Sequence, residues 1–131
     1  MLITKNASLD YDFCRKLIDE SLVPDDVTIQ VLTQARPDLI EKTFAALKGA
    51  RRAVVHVYNS TSTVQRDYVF GLDRAGILEI ATQGAQWVAE EAAKHPDTEW
   101  IFEYSPESFT GTELDFAVEV VDAVTSVWLP T

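Results

Sequence analysis

The sequence is short of the residues that mark several large protein classes. It holds one cysteine, Cys14, so no internal disulfide can form and a stapled, secreted scaffold is not expected. Five glycines and five prolines among 131 residues are too few for a collagen-like or linker-rich chain. No apolar run approaches the roughly 18–20 residues that a bilayer span needs. The opening Met1-Leu2-Ile3-Thr4-Lys5-Asn6 lacks the apolar stretch of a signal peptide, so the expected setting is cytoplasmic. With two histidines and no HxH, HExxH or CxxC spacing, a self-contained zinc site is not expected. GxGxxG, GxxxxGK[ST] and GxSxG are all absent, which removes the usual anchors of dinucleotide, P-loop and nucleophile-elbow chemistry.

Positive charge is the other shortage. Eleven Lys and Arg face 21 Asp and Glu, for a net charge of −10 and a pI near 4.5. Positions 1–74 are balanced, whereas positions 75–131 hold Lys94 as their one basic residue. Nucleic acids and anionic membranes are bound through clustered Lys and Arg, and no such cluster occurs, so neither is an expected partner. The acidic half reads as solvated helix faces that favour solubility.

What remains is ordinary globular composition, 47% hydrophobic and 24% charged, at a length that suits one domain spanning 1–131. Hydrophobic periodicity alternates between about 3.6 and 2 along the chain. Helices are expected over 11–22 with Asp10 as N-cap, 38–47 after Pro37, 76–94, and behind a Thr110/Glu113 capping box, with Ala117, Val120, Val121 and Val124 on one face. Strands are expected over 27–32, 53–59 and 100–104, with Leu2-Ile3-Thr4 and Trp128-Leu129 as further short candidates. Such βα alternation builds parallel sheets with right-handed crossovers.

The three main strands are two-faced. Val55 and Val57 share a face opposite His56 and Tyr58; Phe102 and Tyr104 lie opposite Ile101, Glu103 and Ser105; Ile29 and Val31 lie opposite Thr28, Gln30 and Leu32. Helices on both faces of an open sheet would bury those polar groups at roughly 1–3 kcal/mol each unless they were hydrogen-bonded. The inner face of a (β/α) barrel accommodates them near the C-terminal strand ends. The expected fold class is therefore α/β, with parallel strands and flanking helices in a barrel-like arrangement rather than a doubly wound one.

Four residues stand at or just past predicted C-terminal strand ends: His56, Tyr58, Ser105 and Glu107. His56 suits general acid/base work or hydrogen bonding to a carbonyl, and suits equally a satisfied structural histidine. Tyr58 alone reads as packing, Ser105 as a turn residue before Pro106, and Glu107 as a helix-entry carboxylate. His95, before Pro96, reads as a C-terminal capping residue, and Cys14 as a core position.

The segments Asp25-Asp26-Val27-Thr28-Ile29-Gln30-Val31-Leu32-Thr33-Gln34, Val55-His56-Val57-Tyr58-Asn59-Ser60-Thr61-Ser62 and Phe102-Glu103-Tyr104-Ser105-Pro106-Glu107-Ser108-Phe109-Thr110-Gly111-Thr112-Glu113 resemble the α-isopropylmalate synthase family. The resemblance covers nearly the whole chain, from about residue 11 to 131. It implies a (β/α)₈ barrel that condenses acetyl-CoA with 2-oxoisovalerate in leucine biosynthesis, with a divalent metal (Mg or Zn) polarising the keto oxygen. By that resemblance His56, Tyr58 and Ser105 bind substrate, and Glu107 is the catalytic carboxylate. The family's opening strand with an Arg-Asp pair and its late His-x-His, which carry the metal ligands, have no counterpart here, and a complete barrel needs ~250 residues. The resemblance therefore implies an α/β fold that is a partial (half) TIM-type barrel with parallel strands and flanking helices, a central piece of the enzyme that is inactive alone. The alternatives are a non-catalytic half-barrel that associates into a homodimer or higher oligomer, and a keto-acid-binding module.

Overall fold

The computed structural model describes residues 2–3 and 7–129. Four parallel strands lie side by side in chain order: β1 (Leu2–Ile3), β2 (Ile29–Gln34), β3 (Arg52–Ser60) and β4 (Glu99–Glu107). Helices α1 (Ala7–Asp19), α2 (Pro37–Leu47) and α4 (Arg74–Ala93) connect them, and α5 (Leu114–Val127) follows β4. A single helical turn, α3 (Thr63–Gln65), leads into a π-helical turn over Arg66–Phe70 between β3 and α4. Parallel strands ordered as in the chain, with helices on one face, form a partial (β/α) barrel, as the sequence led us to expect.

Packing follows the period-2 pattern. On β2 and β3, Ile29, Val31, Thr33, Ala53, Val55 and Val57 are buried. They meet Ile40, Phe44 and Leu47 of α2 and Val88 of α4. A second cluster joins Ile77, Ala81 and Ala85 of α4 to Phe116, Val120 and Val124 of α5, with Phe102 and Tyr104 of β4 against it. Cys14 is fully buried, as its place in a helical stripe suggested, and burial raises its thiol pKa. Helix α4 is capped by Lys94 and not by His95, which follows it; the His95 ring packs beside Phe44 and Trp100 while its carbonyl accepts the Trp100 indole N–H at 2.9 Å.

Several boundaries differ from expectation for local reasons. Helix α1 begins at Ala7, so Asp10 lies in its first turn and is not its cap. Strand β2 starts at Ile29 because the Val27 amide closes a turn onto the Pro24 carbonyl. Strand β4 runs on through Pro106, which an edge strand tolerates because, among the described residues, one side of its backbone has no ladder partner. The Thr110/Glu113 capping box does not form: Thr110 sits in a 3₁₀ turn, and Glu113 directs its carboxylate at Arg66 and Arg74. Trp128 and Leu129 form no strand; Trp128 covers Phe102 instead, with ring centroids 5.6 Å apart. Of the short N-terminal strand, Leu2–Ile3 pairs with Val31 and Leu32, while Thr4 lies outside the described residues.

Candidate functional site

The face of the sheet opposite the helices carries the polar side chains. Parallel register sets His56 beside Glu103, Tyr58 beside Ser105 and Ser60 beside Glu107. Side chains of alternate residues share a face, so His56, Tyr58, Ser105 and Glu107 all come to one side, at the C-terminal half of two adjacent strands.

Their hydrogen bonds form two groups. His56 Nε2 lies 2.6 Å from Ser105 Oγ, and His56 Nδ1 lies 3.3 Å from Glu103 Oε1. Gln30, on the other flank of β3, donates from Nε2 to Glu103 Oε2 at 2.6 Å. Further along, Ser60 Oγ donates to Glu107 Oε2 at 2.5 Å. Glu107 is otherwise exposed, so most of its acceptor capacity faces solvent. Tyr58 is 9% exposed beside this row. The structure thus brings His56, Tyr58 and Ser105 together and sets Glu107 one strand-step beyond Ser105.

The strand ends are held by buried polar groups. Thr61 donates its amide to the Glu107 carbonyl at 3.2 Å, and its hydroxyl meets that of Thr112 at 2.7 Å. Ser108 adopts a left-handed conformation (φ 60°), which turns the chain immediately after Glu107. Arg66, buried, makes a two-pronged contact with Glu113 at 2.7 and 2.9 Å and donates to the Thr61 carbonyl at 2.8 Å. Arg74 adds a bond of 3.2 Å to Glu113, and both guanidinium groups lie over the Phe116 ring. The hydrogen bonds from Arg66, with those from Arg74, lower the Glu113 pKa to about 2. Behind the sheet, the Tyr104 hydroxyl donates to Asn59 Oδ1 at 2.7 Å, and burial pushes its pKa well up.

The HMGL-like family profile matches residues 3–128, which is almost the entire chain. The chain belongs to the HMGL-like family. Within that family it is 61% identical over 124 residues to the 2-isopropylmalate synthase of Alcanivorax borkumensis, a match covering 95% of this chain and 22% of that protein. It is 62% identical over 125 residues to that of a Parafrankia species and 62% identical over 122 residues to that of Mycobacterium ulcerans, each covering 93% of this chain and 22% of the relative. The chain therefore matches one region of 2-isopropylmalate synthases and spans 22% of the length of these relatives. The resemblance read from the three segments is borne out, and so is the barrel-type fold.

HMGL-like proteins of this kind are generally metal-dependent. The residues present do not fit a metal by themselves. Among the described residues, no group of three or more His, Cys, Asp and Glu is placed to hold an ion. His56 is engaged by Glu103 and Ser105, and Glu107 belongs to a separate hydrogen-bonded group with Ser60. The Arg66-Asp67 pair lies in the π-helical turn, where Arg66 is committed to Glu113. Among the described residues no helix is long and apolar enough to cross a membrane.

The short list of site residues omitted Gln30, Glu103 and Ser60. Alternation already set Gln30 and Glu103 on the His56 side of their strands. That Glu103 stands directly opposite His56 is a matter of register, which no local pattern encodes.

Proposed function

We propose that this chain is a central part of the catalytic barrel of a 2-isopropylmalate synthase, forming the wall against which acetyl-CoA condenses with 2-oxoisovalerate. His56, Tyr58 and Ser105 line the keto-acid pocket, and Glu107 is the carboxylate beside the reacting carbons. The observation that carries this reading is the shared open face: four side chains singled out by sequence stand together at parallel strand ends, where barrel enzymes keep their chemistry.

The chemistry asked of these residues is limited. The methyl group of acetyl-CoA must lose a proton before its carbon can attack the keto carbon, and a carboxylate can accept it. Glu107 is anchored by one bond from Ser60 and otherwise open, which leaves an oxygen available for that transfer. The Ser105 hydroxyl, and His56 Nε2 once the ring carries a second proton, offer hydrogen bonds to the carboxylate or keto oxygen of the second substrate, fixing its orientation. Water then cleaves the thioester, releasing CoA. Among the described residues no ligand set suits the divalent metal, Mg or Zn, so in this reading its ligands come from other parts of the barrel and the chain alone is inactive. A cytoplasmic setting suits the biosynthetic role.

Grafting tests the reading. Residues 3–128 replace the matching region of the Mycobacterium ulcerans enzyme, and CoA release is followed with a thiol reagent. The expected result is 2-oxoisovalerate-dependent CoA release by the chimera, a loss of about 10- to 100-fold on His56→Ala, equivalent to one hydrogen bond of ~1.5–3 kcal/mol to a charged group, and none from the isolated chain. A folded chimera without activity, or one indifferent to His56→Ala, would overturn it.

A further inference from the structure

Two side chains outside the substrate-facing set act on His56 from the strands flanking β3. Glu103, directly opposite on β4, approaches Nδ1 with Oε1 at 3.3 Å. Gln30 on β2 gives its amide hydrogen to the other carboxylate oxygen at 2.6 Å, which holds the carboxylate in that pose. The same Gln30 Nε2 lies 3.4 Å from His56 Nδ1.

The donor and acceptor inventory decides where the imidazole proton sits. An ionised carboxylate can only accept, and an amide nitrogen can only donate. With the lone pair on Nδ1, Glu103 Oε1 would face it without a hydrogen between them, an electrostatic penalty beside a full negative charge. With the proton on Nδ1, the ring donates to Glu103, and Nε2 holds the lone pair that accepts the Ser105 hydroxyl at 2.6 Å. The Gln30 nitrogen, committed to Glu103, is then a packing contact of the ring. Of the two neutral forms, this one satisfies both the Glu103 and the Ser105 contacts, while the Gln30 nitrogen at 3.4 Å gains no hydrogen bond from the ring.

We infer that Glu103, braced by Gln30, is a positioning residue that holds neutral His56 in its Nδ1–H form, so that Nε2 serves as the hydrogen-bond acceptor toward Ser105 and toward the hydroxyl that condensation forms from the keto oxygen. This deepens the proposed function and rests on it for the identity of the substrate. The tautomer itself is a property of the chain. When the ring takes up a proton, Glu103 lies beside the new charge and Nε2–H becomes a donor, so the same pair serves both directions of proton traffic.

The test reads the ring nitrogens directly. Long-range ¹H–¹⁵N correlation spectra of the ¹⁵N-labelled chain, with His95→Gln to assign the second histidine, report which nitrogen of neutral His56 is protonated. The expected pattern is Nδ1–H with Nε2 unprotonated, retained in Glu103→Gln, whose side-chain carbonyl still accepts. In Glu103→Ala the ring shifts toward the Nε2–H form that a free neutral imidazole prefers. A Nε2–H ring in the unsubstituted chain, or an unchanged spectrum in Glu103→Ala, overturns the inference, whatever the grafted enzyme does. In an active graft, Glu103→Ala lowers kcat/KM about tenfold and Glu103→Gln recovers most of it; equal losses in both variants overturn it as well. An inactive graft refutes the proposed function and leaves the spectra to decide this point.

Discussion

Substituting Gly84 by alanine is expected to destabilise the chain, although alanine is the better helix former. An added Cβ would lie 2.8 Å from Ala35 Cβ, 3.4 Å from Ala35 Cα and 3.7 Å from Val57 Cγ1. Carbon atoms prefer about 3.5–4.0 Å, so α4 or the turn after β2 must retreat by roughly 0.7 Å or more, and a methyl group has no rotamer by which to step aside. Helix propensity favours alanine by about 0.8–1 kcal/mol, while overpacking costs about 1–3 kcal/mol. The difference is a net loss of about 1 kcal/mol. Gly76, in the same helix, supplies the contrast. Its Cβ would meet Leu72 alone, at 3.2 Å from Cβ and Cδ2; the exposed Cδ2 can swing away, and the loop that carries Leu72 Cβ need give by only a few tenths of an ångström. There propensity prevails, and Gly76→Ala stabilises by a few tenths of a kcal/mol to about 1. Urea unfolding followed by circular dichroism reads both signs, and a thermal midpoint should move by about 2–8 °C per kcal/mol. The consequence reaches the site, because the Ala35 amide donates to the Tyr58 carbonyl at 3.0 Å. If Gly84→Ala stabilises as much as Gly76→Ala, the close approach of α4 to the strand end is not real.

Acid should loosen the corner beneath the site. The Glu113 pKa is lowered in the folded chain from an ordinary 4.5 to about 2, so its contribution is fully present above pH 4.5 and is lost as pH falls toward 2. Glu113→Gln should therefore be less stable than the parent at pH 7, with the gap closing across that window in urea titrations; a constant gap down to pH 2 would contradict the assignment. Phe116→Ala removes the fully buried ring beneath Arg66 and Arg74 and should cost about 3–5 kcal/mol, read as a fall in the urea midpoint. A loss below about 1 kcal/mol would mean that the two guanidinium groups are not stacked on a packed ring.

Local signals carried most of the fold and half of the site. Alternation along 53–59 and 100–104 separated a helix-facing row from a polar one, because a strand reverses its side chains at every residue whatever its neighbours are. That rule is intrinsic to one segment, and it set His56, Tyr58 and Ser105 on the polar side; Glu107, expected just past the strand, joins them because the strand runs on to it. The Thr110/Glu113 spacing is equally local, yet it failed, because a carboxylate that can bind the guanidinium of Arg66, 47 residues away, has a stronger partner than a backbone amide. The same competition explains what was not legible at the site. His56 read alone suits a core histidine as well as a functional one, and nothing within a few residues of it distinguishes the two. What distinguishes them is a carboxylate 47 positions on and an amide 26 positions back, brought together only by the register of three parallel strands. Register is set by the lengths of the intervening helices and by the packing of Val31, Val55 and Phe102 against them, so it is an outcome of the core. Membership of the site is thus written in single strands, while the proton's position on His56 is decided by the helices packed on the other side of the sheet.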